Sequence, residues 1–175
     1  MKNDKLKSVI VLTVICLIVT ALLAVTNGFT APVIEEARQK KVEASLRAVL
    51  PAVNSIREIS PLPEGTPSTV EAVYVINSEN YAVVLSTTSA YSSGDMGITV
   101  GISKDHEIVG VKLTSYFESK DFGREEYPGN FIGLGADTIQ GVDAFAGVTY
   151  SSKAFKAALA DAFTAIELIE GGEAE

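Results

Sequence analysis

From Ser8 to Ile34 the chain carries no charged residue, and Val9 to Val25 is almost continuously apolar. A helix of about 20 apolar residues crosses the hydrocarbon core of a bilayer, so the pattern predicts a transmembrane helix over 8–31. Lys2, Lys5 and Lys7 precede it against a single acid, Asp4. That bias predicts a cytoplasmic N-terminus over 1–7 and an extracytoplasmic position for everything that follows. A cleaved secretory signal competes for the same segment. Signal cores run about 7–15 residues; this run is longer and has no clean small-x-small site after it, so it reads as an uncleaved anchor in the membrane lipid. Both readings send the following domain across the membrane.

Residues 32–51 form a second pattern, with Ile34, Ala37, Val42, Leu46 and Val49 near one face and charged residues mostly elsewhere. This predicts a juxtamembrane helix over about 33–50, ended by Pro51. Residues 51–68 hold Pro51, Pro61, Pro63 and Pro67 with few apolar residues and read as loop. Four strands rich in Val, Ile and Tyr follow: Val70–Ile76 and Tyr81–Ser86 around an Asn77–Asn80 turn, and Gly97–Ser103 and Glu107–Tyr116 around a turn at His106. Lys153–Ile169 then repeats apolar residues at helical spacing: Phe155, Leu159, Phe163, Ile166 and Ile169. The fold class is α+β: one N-terminal transmembrane helix, then a small domain over 52–175 with an antiparallel sheet and flanking helices.

Charge and composition narrow the chemistry. The formal net charge of −8 argues against nucleic acid as a partner, because phosphate neutralisation needs clustered Lys and Arg. The one cysteine, Cys16, lies inside the apolar run, and the one histidine, His106, sits in a charged turn that reads as solvent-facing and idle. Neither a metal site nor a Ser-His-Asp triad is built from such a set.

The stretch Asp143-Ala144-Phe145-Ala146-Gly147-Val148-Thr149-Tyr150-Ser151-Ser152 stands just before the C-terminal helix. Gly147 lets backbone approach a ligand closely. The first amides of a helix have no partner within it and attract phosphate. Taken alone, the stretch reads more readily as a helix start in which Thr149, Ser151 or Ser152 is only the N-cap.

With these pieces placed, the chain resembles the FMN-binding domain family, and within it the G subunit of Rnf ion-translocating oxidoreductases, with the C subunit of sodium-pumping NADH:quinone reductase as a relative. The family motif Asp-x-x-Ser/Thr-Gly-Ala-Thr-x-Ser/Thr is matched by Asp143, Gly147, Thr149 and Ser151; Ala146 and Val148 depart from it. A second family element, Glu-Thr-Pro-Gly-Leu-Gly, is matched at Glu118 and Gly123, with the Pro-Gly pair lost. Phe131-Ile132-Gly133 resembles the family's Phe-x-Gly stretch, and Val49-Leu50-Pro51 its Val-Leu-Pro.

The resemblance implies FMN held covalently by a phosphoester to Thr149, placed there by a dedicated flavin transferase. It implies cofactor contacts from Glu118, Gly123, Asp143, Gly147, Val148, Ser151 and Ser152. It also implies a redox subunit rather than an enzyme alone: a carrier relaying electrons between membrane subunits of an Rnf-type ferredoxin:NAD oxidoreductase, with no side chain acting as acid, base or nucleophile in turnover. A stand-alone membrane-anchored FMN carrier and a flavin-free binding module are the alternatives, the latter suggested by Ala146 and Val148.

Overall fold

The alternating stretch between residues 56 and 115 closes into one five-stranded antiparallel meander in the order β1-β2-β3-β4-β5: β1 Ile56–Ile59, β2 Val70–Ile76, β3 Asn80–Thr88, β4 Asp95–Ile102 and β5 Ile108–Ser115. The computed structural model describes residues 2–50, 52–88, 94–116 and 126–172. Four of these strands follow the hydrophobic pattern closely. β1 lies instead in the proline-rich stretch that reads as loop, paired with β2 from Ile56↔Ile76 to Ile59↔Val73. Asn77 explains how it is held. This residue sits at φ 55 in the β2–β3 turn. Its side-chain oxygen accepts the Asn54 amide at 2.9 Å and the Ser55 amide at 3.1 Å, and its amide nitrogen donates to the Ala52 carbonyl. A turn residue thus fixes the entry to a strand more than twenty positions upstream.

The helices are α1 Lys2–Val49, α2 Glu126–Gly129 and α3 Thr149–Gly172, with a 3-10 turn at Ile139–Gly141. α1 is one helix and runs through Pro32, where the sequence pattern suggests a break. Pro32 lacks the amide that would bond the Gly28 carbonyl four residues back, and its ring crowds that carbonyl; the helix continues through it all the same.

The chain divides into two compact units, Met1–Glu43 and Ala44–Glu175. In the first, Val9 through Ile34 are exposed throughout, with large apolar residues such as Leu17 at 65% and Phe29 at 76%. Its threonine hydroxyls turn inward on their own helix: Thr13 donates to the Val9 carbonyl at 2.9 Å, Thr20 to Cys16 at 2.8 Å, Thr26 to Leu22 at 2.8 Å and Thr30 to Thr26 at 2.9 Å. A helix apolar all round, with its hydroxyls satisfied internally, suits lipid rather than water.

The second unit packs both faces of the sheet. On one face α3 lays Phe155, Leu159, Ala162, Phe163 and Ile166 over Val73, Val83, Leu85, Ile98 and Val100. On the other, the end of α1 and the residue after it bring Leu46, Val49 and Leu50, all buried, to the sheet, with Val49 and Leu50 against Gly101 and Val49 against Gly110. Gly110 makes this approach feasible, because any side chain there would strike the Val49 backbone. The end of α1 therefore belongs to the globular unit, while its apolar length does not.

Candidate functional site

The phosphate-seat stretch becomes a structured loop between the 3-10 turn and α3. The Val148 carbonyl accepts the Ser152 amide at 2.9 Å, the first bond of the helix. Val148 is thus the capping residue and Thr149 the first helical one. The N-cap reading of Thr149, Ser151 or Ser152 does not hold, because α3 starts at Thr149 and none of the three hydroxyl residues stands before it. α3 also begins four residues ahead of the expected Lys153. The amides of Thr149, Tyr150 and Ser151 occupy first-turn positions, where helix geometry supplies no intrahelical acceptor.

Gly147, at φ +85, supplies the left-handed turn that aims the chain into the helix. Beneath the turn, Ser152 is fully buried and works as a staple. Its hydroxyl accepts the Phe145 amide at 3.0 Å and donates to the Val148 carbonyl at 2.9 Å. The Val148 amide in turn donates to the Phe145 carbonyl at 3.1 Å. Lys156, two turns into α3, donates to the Val142 carbonyl at 2.9 Å and the Gln140 carbonyl at 3.4 Å. One helix thereby holds both ends of the loop that precedes it.

An aromatic cluster forms the floor. Tyr127 meets Phe131 at 5.3 Å between ring centroids, Phe145 at 5.9 Å and Phe155 at 5.8 Å, and Phe131 meets Phe155 at 5.2 Å. Edge-on and tilted pairs at such distances are favourable beyond the area they bury. Burial raises the Tyr127 phenol above the ordinary tyrosine value; the neighbouring Ser152 side chain opposes this, and the negative charge of Asp143 adds to it. Phe131, in the Phe-x-Gly stretch, is fully buried. Gly133 follows at φ +80 and donates to the Ile108 carbonyl at 2.7 Å, docking this stretch on β5.

The predicted site residues therefore separate by depth. Asp143, Gly147 and Thr149 are exposed on the loop and at the helix entrance. Val148 is 8% exposed, Ser151 2% and Ser152 0%. Val148 belongs to the hydrophobic core, so the larger side chain at this departure from the motif is accommodated by packing. Ala146 is exposed. Glu118 and Gly123 lie outside the described residues, as do Tyr91, Phe117 and Phe122. The Ser152 staple and the Lys156 clamp escape sequence reading, although Lys156 at helical spacing from Ser152 was a visible signal.

His106 departs from its expected idleness. It turns the β4–β5 hairpin at φ 58, and its Nε2 lies 3.3 Å from a carboxylate oxygen of Glu170 near the end of α3.

Thr149 thus stands exposed at the first position of α3, on a loop fixed from below by Ser152 and Lys156. Comparison with protein families gives two matches. The FMN-binding domain matches residues 92–164, which span β4, β5, the loop and most of α3. The RnfG N-terminal region matches residues 1–49, the whole of α1. No match is found among curated proteins. With the two family matches lying in order along the chain and accounting for most of its length, the chain belongs to the RnfG-like FMN-binding family: an Rnf-type FMN electron carrier whose flavin domain follows an apolar helix able to cross a membrane.

Proposed function

We propose that Thr149 carries FMN through a phosphoester and that the domain serves, outside the cytoplasm, as an electron relay between membrane subunits of an Rnf-type complex. The observation that carries this reading is the placement of Thr149: exposed, first in a 24-residue helix, and directly after the Gly147 turn. The Thr149 hydroxyl supplies the ester oxygen and loses its proton once, when a flavin transferase moves the FMN phosphoryl group onto it from a phosphoanhydride donor, whose P–O bond breaks and whose other half leaves with the bonding electrons. The first-turn amides and the positive end of α3 then face the phosphate oxygens. FMN supplies one-electron and two-electron redox chemistry, which no side chain of this domain provides.

Other residues hold the seat rather than react. Ser152 and Lys156 fix the loop, Gly147 gives the turn, and Asp143 marks its outer edge. Glu118 and Gly123 remain proposed flavin contacts. Covalent attachment suits an exported acidic domain, since a released anionic cofactor would diffuse away and be poorly recaptured. Lys2, Lys5 and Lys7 orient α1 with its N-terminus in the cytoplasm.

The test is production of the full chain with a flavin transferase, followed by denaturing electrophoresis read by flavin fluorescence. A fluorescent band is expected for the wild type and none for Thr149→Ala. Absence of fluorescence in the wild type would favour the flavin-free module. Co-purification of the fluorescent protein with membrane redox subunits separates the Rnf role from a stand-alone carrier.

A further inference from the structure

α3 carries its charges against its own dipole. Its N-terminal half holds Lys153 and Lys156 and no acid, while its C-terminal half holds Asp161, Glu167 and Glu170 and no base. Aligned peptide dipoles make a helix positive at its start and negative at its end, most strongly within the first and last turns, so Glu170 in the last turn is disfavoured and Lys153, one turn in, gains nothing from its place. Composition does not explain the pattern. The chain is acidic at −8 overall, yet from Ala144 through Ala160 it has two lysines and no carboxylate.

Lys156 has a structural use in binding the Gln140 and Val142 carbonyls. Lys153 makes no hydrogen bond or ion pair among the described residues and is exposed. It stands four positions after Thr149, the spacing at which side chains on one helix meet.

Resting on the reading that Thr149 bears the flavin phosphate, we infer that Lys153 is the counter-charge to that phosphoester, so that attachment converts a poorly started helix into a stabilised one. A phosphodiester keeps one negative charge. At the first helical position it interacts favourably with the dipole and with an ammonium group one turn on. Before attachment, Lys153 faces only the positive end of the helix. Lys153 is thus a positioning residue that holds the phosphate against the helix entrance, and no bond forms or breaks at it.

The test compares melting temperatures of the full chain in detergent, unmodified and flavinylated, as wild type and Lys153→Met. In the unmodified protein the variant is expected to melt at the same temperature or slightly higher. In the flavinylated protein it is expected to melt about 1–2 °C lower. A change of sign with modification is something a merely structural lysine does not produce. Equal lowering in both forms, or no lowering in the flavinylated form, overturns the inference.

A second cycle needs no flavin. Thr149→Asp places a charge at the same position and is expected to melt above Thr149→Ala, with much of the gain lost when Lys153→Met is added and in high salt. If no flavin adduct forms, the attachment reading fails by itself, and this cycle still decides the role of Lys153: retention of the whole gain in Lys153→Met overturns it.

Discussion

α1 and α3 are both long helices rich in apolar residues, and they solve opposite problems. Along α1, the side chains from Val9 to Ile34 are exposed on every side; along α3, Phe155, Leu159, Phe163 and Ile166 are buried in one stripe while Lys153, Ala157 and Thr164 face outward. The stripe needs the sheet as its partner. The all-round pattern has no protein partner among the described residues and needs a different solvent, which a bilayer provides. Apolar content alone therefore says little about a helix; the angular spread of that content says what surrounds it.

The sharpest way to break the contrast is to remove packing from α3. Phe155 is fully buried and touches both Tyr127 and Phe131. Phe155→Ala is expected to destabilise the domain by about 3–5 kcal/mol, seen as a large fall in the denaturation midpoint. The matching change in α1, Leu17→Ala, should leave that midpoint unchanged. Leu17→Arg tests the other side. A charge at the centre of a membrane helix costs about 2.5–3.5 kcal/mol on insertion scales, so this variant is expected to shift protein from the membrane fraction to the soluble one on alkaline extraction, with the domain's own unfolding unaltered.

Smaller effects probe the loop that α3 holds. Ser152→Ala removes the acceptor of the part-buried Phe145 amide, and a loss of about 0.5–1.5 kcal/mol is expected, together with faster hydrogen exchange at Phe145. The smallest effect lies at alkaline pH. Burial holds the Tyr127 phenol above its ordinary value of 10.0, so the folded state keeps a proton that the unfolded chain has already released. This contribution is intact below pH 10 and declines as pH rises from there through the raised value. Tyr127→Phe should remove that part of the alkaline decline, measured as a shallower loss of the denaturation midpoint above pH 10 than in the wild type.

What the sequence disclosed follows the same division. Strands β2 to β5 were legible because their apolar residues alternate or run together between clear turns, and α3 because its stripe recurs at helical spacing. β1 was not, since Ile56 and Ile59 stand among prolines and gain their place from pairing with β2 and from Asn77, which no local pattern encodes. The continuity of α1 through Pro32 was hidden as well, because proline is a local stop signal and nothing in the neighbouring residues marks this one as an exception.

At the site, Thr149 was identified through a motif, and its outward position at the first turn follows from the fold. The depths of Val148, Ser151 and Ser152 were not visible, because a serine's hydroxyl reads the same in sequence whether it faces a ligand or, as Ser152 does, ties a loop to its helix. His106 shows the opposite error. Its charged neighbours suggested a free turn, and the contact with Glu170 depends on α3 returning to the far end of the sheet.

The central claim is a phosphoester between FMN and Thr149. The most direct measurement is the mass of the proteolytic peptide containing Thr149, taken from full chain produced with a flavin transferase and fragmented to locate the added group. The account predicts the mass of the peptide plus an FMN moiety less water, localised to Thr149, and an unmodified peptide from Thr149→Ala. An unmodified wild-type peptide, or an adduct mapped to Ser151 or another hydroxyl, would contradict it.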